Sequence, residues 1–295
     1  GLNVNKNANN IGLFGKISST AEIKNLTVRG SVNESGSSRS YVGGIVGYSD
    51  GGKISGCVSN VRVTNPGKYT GGICGYSTGT ISDCRNLGNI KADGDYAGGI
   101  SGYAKGSYSK SLSIARCENR GELSYASGTG RYKGGICGYT QYIEISECAN
   151  LGNVFANGNF AGGVVGQIYS GTTVTDSYSS ADVSSGAYSA GGFAGATYGS
   201  NSNITIKNCY SSGSVKNSPG NCGAFIGLLD GGTITDCQTL VETAPGGVNY
   251  GMQAIGKGPS DAVSTEINYK LLNTDGKWER SLFYNNKFPY LLWQN

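Results

Sequence analysis

The chain has 295 residues, a net charge of +4, 14% charged side chains and no histidine. Without histidine no Ser-His-Asp or Cys-His arrangement and no HExxH zinc site can form, and the scattered Lys and Arg make no nucleic-acid footprint. With 51 glycines, 20 tyrosines and 5 prolines, the composition suits a β structure with a thin core and many tight turns rather than a disordered chain. No run approaches the ~18 consecutive apolar residues of a membrane span.

The chain opens at Gly1 without a leader, which reads as an excised piece of a longer secreted protein. A degenerate motif, Gly12-Leu13-Phe14-Gly15, comes first. Fuller copies follow as Gly43-Gly44-Ile45-Val46-Gly47-Tyr48, Gly71-Gly72-Ile73-Cys74-Gly75-Tyr76, Gly98-Gly99-Ile100-Ser101-Gly102-Tyr103 and Gly134-Gly135-Ile136-Cys137-Gly138-Tyr139. Gly162-Gly163-Val164-Val165-Gly166 and Gly191-Gly192-Phe193-Ala194-Gly195 continue the series, and Ala224-Phe225-Ile226-Gly227 and Gln253-Ala254-Ile255-Gly256 close it. A second motif trails each copy, clearest as Ile81-Ser82-Asp83-Cys84-Arg85-Asn86 and Ile145-Ser146-Glu147-Cys148-Ala149-Asn150. Two motifs in register predict an all-β fold: a single right-handed parallel β-helix of about nine coils of roughly 30 residues. Residues 1–267 form the coils. Residues 268–295, with both Trp residues, are expected to cap the open end of the stack.

Stacking turns each repeat position into a column. Ile45, Ile73, Ile100, Ile136, Val164, Phe193 and Phe225 should face inward. Cys57, Cys84, Cys117, Cys148, Cys209 and Cys237 share one column, which reads either as disulfide staples or a metal site or as a small buried slot whose parallel thiols stay unpaired. Two residues on, Ser59, Asn86, Asn119, Asn150, Ser179 and Ser211 form a column able to hydrogen-bond from coil to coil.

The motif and its in-register partner resemble the GLUG motif of bacterial secreted and surface proteins, found in adhesin-like proteins and in non-catalytic parts of IgA-cleaving metallopeptidases. The closing Lys287-Phe288-Pro289-Tyr290-Leu291-Leu292-Trp293 resembles the segment that often ends such repeats. The resemblance implies a β-helix in an extracellular or cell-surface setting and carries over no catalytic residues.

Candidate sites divide between recognition and packing. Tyr48, Tyr76, Tyr103 and Tyr139 recur once per coil, as do Tyr41, Tyr69, Tyr96, Tyr132 and Phe160; they form either an aromatic strip for a glycan or protein partner or plain packing. The widest step, from Gly102 to Gly138, holds insertions that bring Lys105, Tyr108, Lys110, Tyr125, Arg131 and Tyr132 to one coil, where they serve recognition or are tolerated length variation. Asp83, Arg116, Glu147, Asp176, Asn208 and Asp236 share a column that offers either an acid cluster of the polysaccharide-cleaving kind or a solvated edge. The functional expectation is a non-catalytic module, stalk or adhesin-like, binding a glycan or host surface protein. It needs no metal or cofactor, binds no nucleic acid and works as a monomeric part of a larger protein. A carbohydrate-active β-helix enzyme is the alternative.

Overall fold

The computed structural model describes residues 1–36, 39–108, 112–199, 203–217, 220–239, 277–280 and 289–294. The chain winds through four parallel sheets, and each coil visits them in the same order. In the third coil, sheet I receives Tyr69–Gly71, sheet II Cys74–Ser77, sheet III Thr80–Ser82, and sheet IV Arg85–Asn86 and Ile90–Ala92. Sheets I, II and III hold 8 strands each, and sheet IV holds 14 because most coils enter it twice. Eight coils are therefore described; the ninth motif, at Gln253–Gly256, lies outside the described residues. No helix among the described residues is long and apolar enough to cross a membrane.

The registers are those of the repeat. Tyr69 pairs with Tyr41 on one side and Tyr96 on the other, and Ile81 pairs with Ile54 and Ile114. Most strands are short, two to five residues, because the chain turns at each corner of the coil, and only the stack gives each strand its partners. The inward positions form continuous ladders. Ile45, Ile73, Ile100, Ile136 and Val164 are fully buried, and Phe193 and Phe225 stack at 4.7 Å.

Two glycines of the motif show why it recurs. A Cβ on Gly71 would collide with the carbonyl oxygen of Cys74, because the chain doubles back on itself between sheets I and II. A Cβ on Gly72 would collide with the Asn86 amide and with the Gly99 carbonyl of the next coil. The second glycine thus leaves room for the buried amide column. In that column Asn86 donates to Asn119 Oδ1 at 2.8 Å, Asn119 to Asn150 Oδ1 at 2.8 Å, and Asn150 to Ser179 Oγ at 3.4 Å. Each amide also donates to the carbonyl two residues on, as Asn119 does to Gly121 at 2.9 Å.

All nine cysteines are free and buried. Those of the repeat column direct Sγ at the carbonyl two residues earlier, as Cys84 does to Ser82 at 3.0 Å. Burial pushes the thiols of Cys74 and Cys137 up to about 12 and those of Cys117 and Cys209 well above their ordinary value.

The described part of the closing segment lies along the flank of sheet IV. Trp278–Arg280 and Pro289–Leu291 pair antiparallel. Leu291 buries against Ala149 of the fifth coil, Tyr178 of the sixth and Tyr210 of the seventh, while Arg85 of the third sits over the Trp293 ring at 5.9 Å. Gln294 donates to Glu118 Oε2 at 2.7 Å and accepts from Tyr178 Oη at 3.0 Å. The remainder of 268–295 lies outside the described residues.

Candidate functional site

The acidic column is a turn column. At the corner between sheets III and IV every described coil needs one residue in the left-handed region: Asn25, Gly56, Asp83, Arg116, Glu147, Asp176, Asn208 and Asp236, with φ between 48° and 61°. Asn, Asp and Gly tolerate that conformation best, so backbone geometry accounts for the run of acids. Five of these side chains are also engaged with one another or with Lys277. Asp83 accepts two hydrogen bonds from Arg116, at 2.6 and 3.0 Å, and that guanidinium holds its carboxyl below the usual carboxylate range. Asp176 accepts from Asn208 and, at 2.7 Å, from Lys277 of the closing segment, whose ammonium also lies 3.9 Å from Glu147. Among the described residues no three His, Cys, Asp or Glu side chains gather as a metal site.

The tyrosines do something else. On sheet I, Tyr41, Tyr69, Tyr96, Tyr132 and Phe160 stack ring on ring at 4.8 to 5.4 Å. On sheet II, Tyr48, Tyr76, Tyr103 and Tyr139 stack at 4.8 to 5.2 Å. The two stacks meet edge to face, as Tyr41 meets Tyr48 at 5.3 Å and Tyr96 meets Tyr103 at 5.1 Å. Outward rings from adjacent sheets can touch only if the glycine corner between those sheets is re-entrant. The tyrosines therefore fill a furrow running along the stack, each ring half-buried. Edge-to-face and offset stacking are the favoured aromatic geometries, worth about 0.5–1.5 kcal/mol a pair beyond burial. Burial, reinforced by neighbouring tyrosines, pushes the phenols of Tyr76 and Tyr96 up to about 12 and raises those of Tyr103 and Tyr139 as well.

The furrow changes at the sixth coil. The sheet II position held by Tyr139 passes to Gln167, then Ala196, then Leu228; the sheet I position held by Phe160 passes to Ser189, then Asn221. With the rings gone, the furrow opens into a cleft of about 550 Å³. Tyr169 and Tyr198, two residues beyond the lost ring, stack at 5.9 Å along one wall. Phe160 and Tyr188, edge to face at 5.6 Å, make the other. Tyr188 and Tyr198 are 49% and 51% exposed, whereas Gln167 is 6% exposed. Arg131 reaches the same cleft, its guanidinium 5.2 Å from the Tyr132 ring and 3.5 Å from Asp95.

The sequence-derived candidates are thus divided. Tyr48, Tyr76, Tyr103, Tyr139 and Tyr132 lie together in the furrow, with Arg131 beside it. Tyr108, 88% exposed, stands at the corner between sheets II and III against Tyr142, at 6.2 Å, over a separate cavity of about 460 Å³. Tyr125 is on the loop between sheets IV and I, where Asp93 Oδ1 accepts from the backbone of Ala126, Ser127 and Gly128. Lys105 lines a third cavity with Tyr76, and Lys110 lies outside the described residues. The two insertions flank one coil at different corners, so they do not build one surface. Sequence reasoning missed Gln167, Tyr169, Tyr188 and Tyr198. The signal was present: the tyrosine that closes the motif becomes Gln167 and Ala196, and a tyrosine returns two residues later.

A family model described as the GLUG motif matches residues 38–64, the second coil. Among solved structures the fold is similar to a crystal structure from Bacteroides ovatus provisionally named an immunoglobulin A1 protease, with a TM-score of 0.59 and 17% identity, over 82% of this chain and 78% of that one. At that identity the likeness is one of fold. No curated protein matches in sequence. The second coil thus carries the GLUG motif, and the other described coils repeat its columns in register.

Proposed function

We propose that this chain is a non-catalytic repeat module of a larger secreted or surface-attached bacterial protein, a stiff shaft that presents an aromatic furrow to a glycan or a host surface protein. The observation that carries this reading is the furrow itself: two aromatic stacks leading into a solvent-open cleft walled by half-exposed tyrosines. Exposed aromatic surface of that kind is the usual mark of recognition. The acids that would serve an enzyme are absorbed by turn geometry and by Arg116, Asn208 and Lys277. The protease name of the similar structure fits a parent protein in which such a shaft accompanies a separate peptidase unit. A glycan and host-glycoprotein array probed with the whole chain tests the reading, with mass spectrometry of every bound glycan before and after incubation. Binding without change of mass is the expected result. Shortened glycan chains would make the protein an enzyme, and a blank array would refute a binding role.

A further inference from the structure

Resting on that reading, we infer that the cleft at the sixth to eighth coils is a binding site for a neutral pyranose sugar, as a chain end or a short stretch of a neutral glycan. Four observations converge on it. The first is size: about 550 Å³ falls inside the ~300–1,000 Å³ range of sites that hold small ligands. The second is wall chemistry. Tyr169 and Tyr198 on one side and Phe160 and Tyr188 on the other present ring faces and edges from two sheets. A pyranose offers a face of C–H bonds whose positive edge matches the negative face of an aromatic ring.

The third observation is Gln167. It is nine-tenths buried, lines the cleft, and makes no side-chain hydrogen bond among the described residues. Its carbonyl accepts and its NH₂ donates, which is the complement of a sugar hydroxyl pair, since each hydroxyl does both. A proline-rich peptide, the other ligand that favours aromatic furrows, offers carbonyl acceptors and few donors, so it would leave the Gln167 carbonyl unmatched. The fourth is charge. Of the lining residues only Arg131 is charged, and it is paired with Asp95. An acidic sugar would find no free cation there, and a cationic ligand no free carboxylate.

The test is calorimetric titration of the full chain with di- to tetrasaccharides of glucose, galactose and mannose, beside sialyllactose, a galacturonic acid trimer and a proline-rich decapeptide. Tyr188→Ala, Tyr198→Ala and Gln167→Leu are compared with Tyr108→Ala, an exposed tyrosine outside the cleft; melting curves show that each variant folds. At least one neutral saccharide should bind the wild type. Each cleft variant should weaken it tenfold or more, and Tyr108→Ala should leave it unchanged. Neutral saccharides binding with undiminished strength to all three cleft variants would overturn the cleft assignment and leave the wider binding role standing. Preference for the acidic sugars or for the peptide would overturn the ligand class. Failure of the neutral saccharides alongside a positive array would sink this inference alone, whereas failure of both would sink the binding role with it.

Discussion

Replacing Asn119 by Asp changes one NH₂ group to oxygen at the centre of the amide column. The Asn119 Nδ2 donates 2.9 Å to the Gly121 carbonyl and 2.8 Å to Asn150 Oδ1, and the side chain is fully buried. In Asn119→Asp both donations become contacts between acceptors, while the bond received from Asn86 survives. Each lost donation leaves a buried acceptor short, at about 1–3 kcal/mol, so the substitution should cost about 2–6 kcal/mol at neutral pH. Burial raises the folded pKa of the new carboxyl above its unfolded value of about 3.9, so the folded state holds its proton longer than the unfolded one. Stability of the variant relative to wild type therefore falls as pH rises from about 4, and the penalty is smallest below that. Asn119→Ser should cost less, since the same column already accepts Ser179, whose hydroxyl takes a bond from Asn150 and another from the Ala181 amide. Urea unfolding followed by circular dichroism, near pH 3.5 and near pH 7, measures both. An Asp variant within about 0.5 kcal/mol of wild type, the size of an ordinary surface change, would refute the ladder as a stabilising element. So would a penalty equal at both pH values.

Three other outcomes follow from buried groups. The native protein should react with a thiol reagent far more slowly than a free thiol does, and the denatured, unreduced protein should expose all nine thiols; any disulfide found by mass spectrometry would contradict the parallel cysteine column. Lys133 is buried with its ammonium on the Gly94 carbonyl, and burial pushes its pKa down to about 7; the unfolded state then binds the extra proton between pH 7 and about 10.5, so stability should rise with pH across that window, and Lys133→Met should flatten the rise. Ending the chain at residue 276 uncovers the stacked Tyr178 and Tyr210 and removes the Gln294 bond to Glu118; lower melting and stronger binding of a hydrophobic dye should result, and unchanged values would make the flank contact ornamental.

The columns were legible in the sequence because parallel stacking copies one coil onto the next. The Ile, Cys and Asn ladders all stand where the spacing put them. What spacing cannot give is the angle at each corner. Alternation along a strand turns Tyr48 away from Ile45, yet the meeting of Tyr41 and Tyr48 depends on a re-entrant bend at Gly43 and Gly44. The same blindness joined Tyr108 to Tyr132: a repeat assigns residues to a coil without saying where around the axis they emerge. The acidic column stayed two-sided in the sequence for a related reason, since a need for left-handed φ selects Asn and Asp and so imitates a cluster of acids. The closing segment was expected at the end of the stack; of its described residues, Leu291, Trp293 and Gln294 meet the flank from the third coil to the seventh, through contacts that no repeat encodes.

The cleft is an interruption. Every coil from the second to the fifth fills the furrow with a pair of rings, and the sixth withholds one of them at Gln167. The near end of the opening is therefore set at one position, 167, with Ser189, Ala196, Asn221 and Leu228 continuing it. A tyrosine at 167 would carry the stack onward and shut the near end of the cleft, whereas a glutamine at 139 would start the cleft one coil sooner. Gene duplication can lengthen such a protein a coil at a time without redesigning any fold, and point substitution then decides which coil carries the opening. Reach and recognition can in this way evolve separately on one repeating frame.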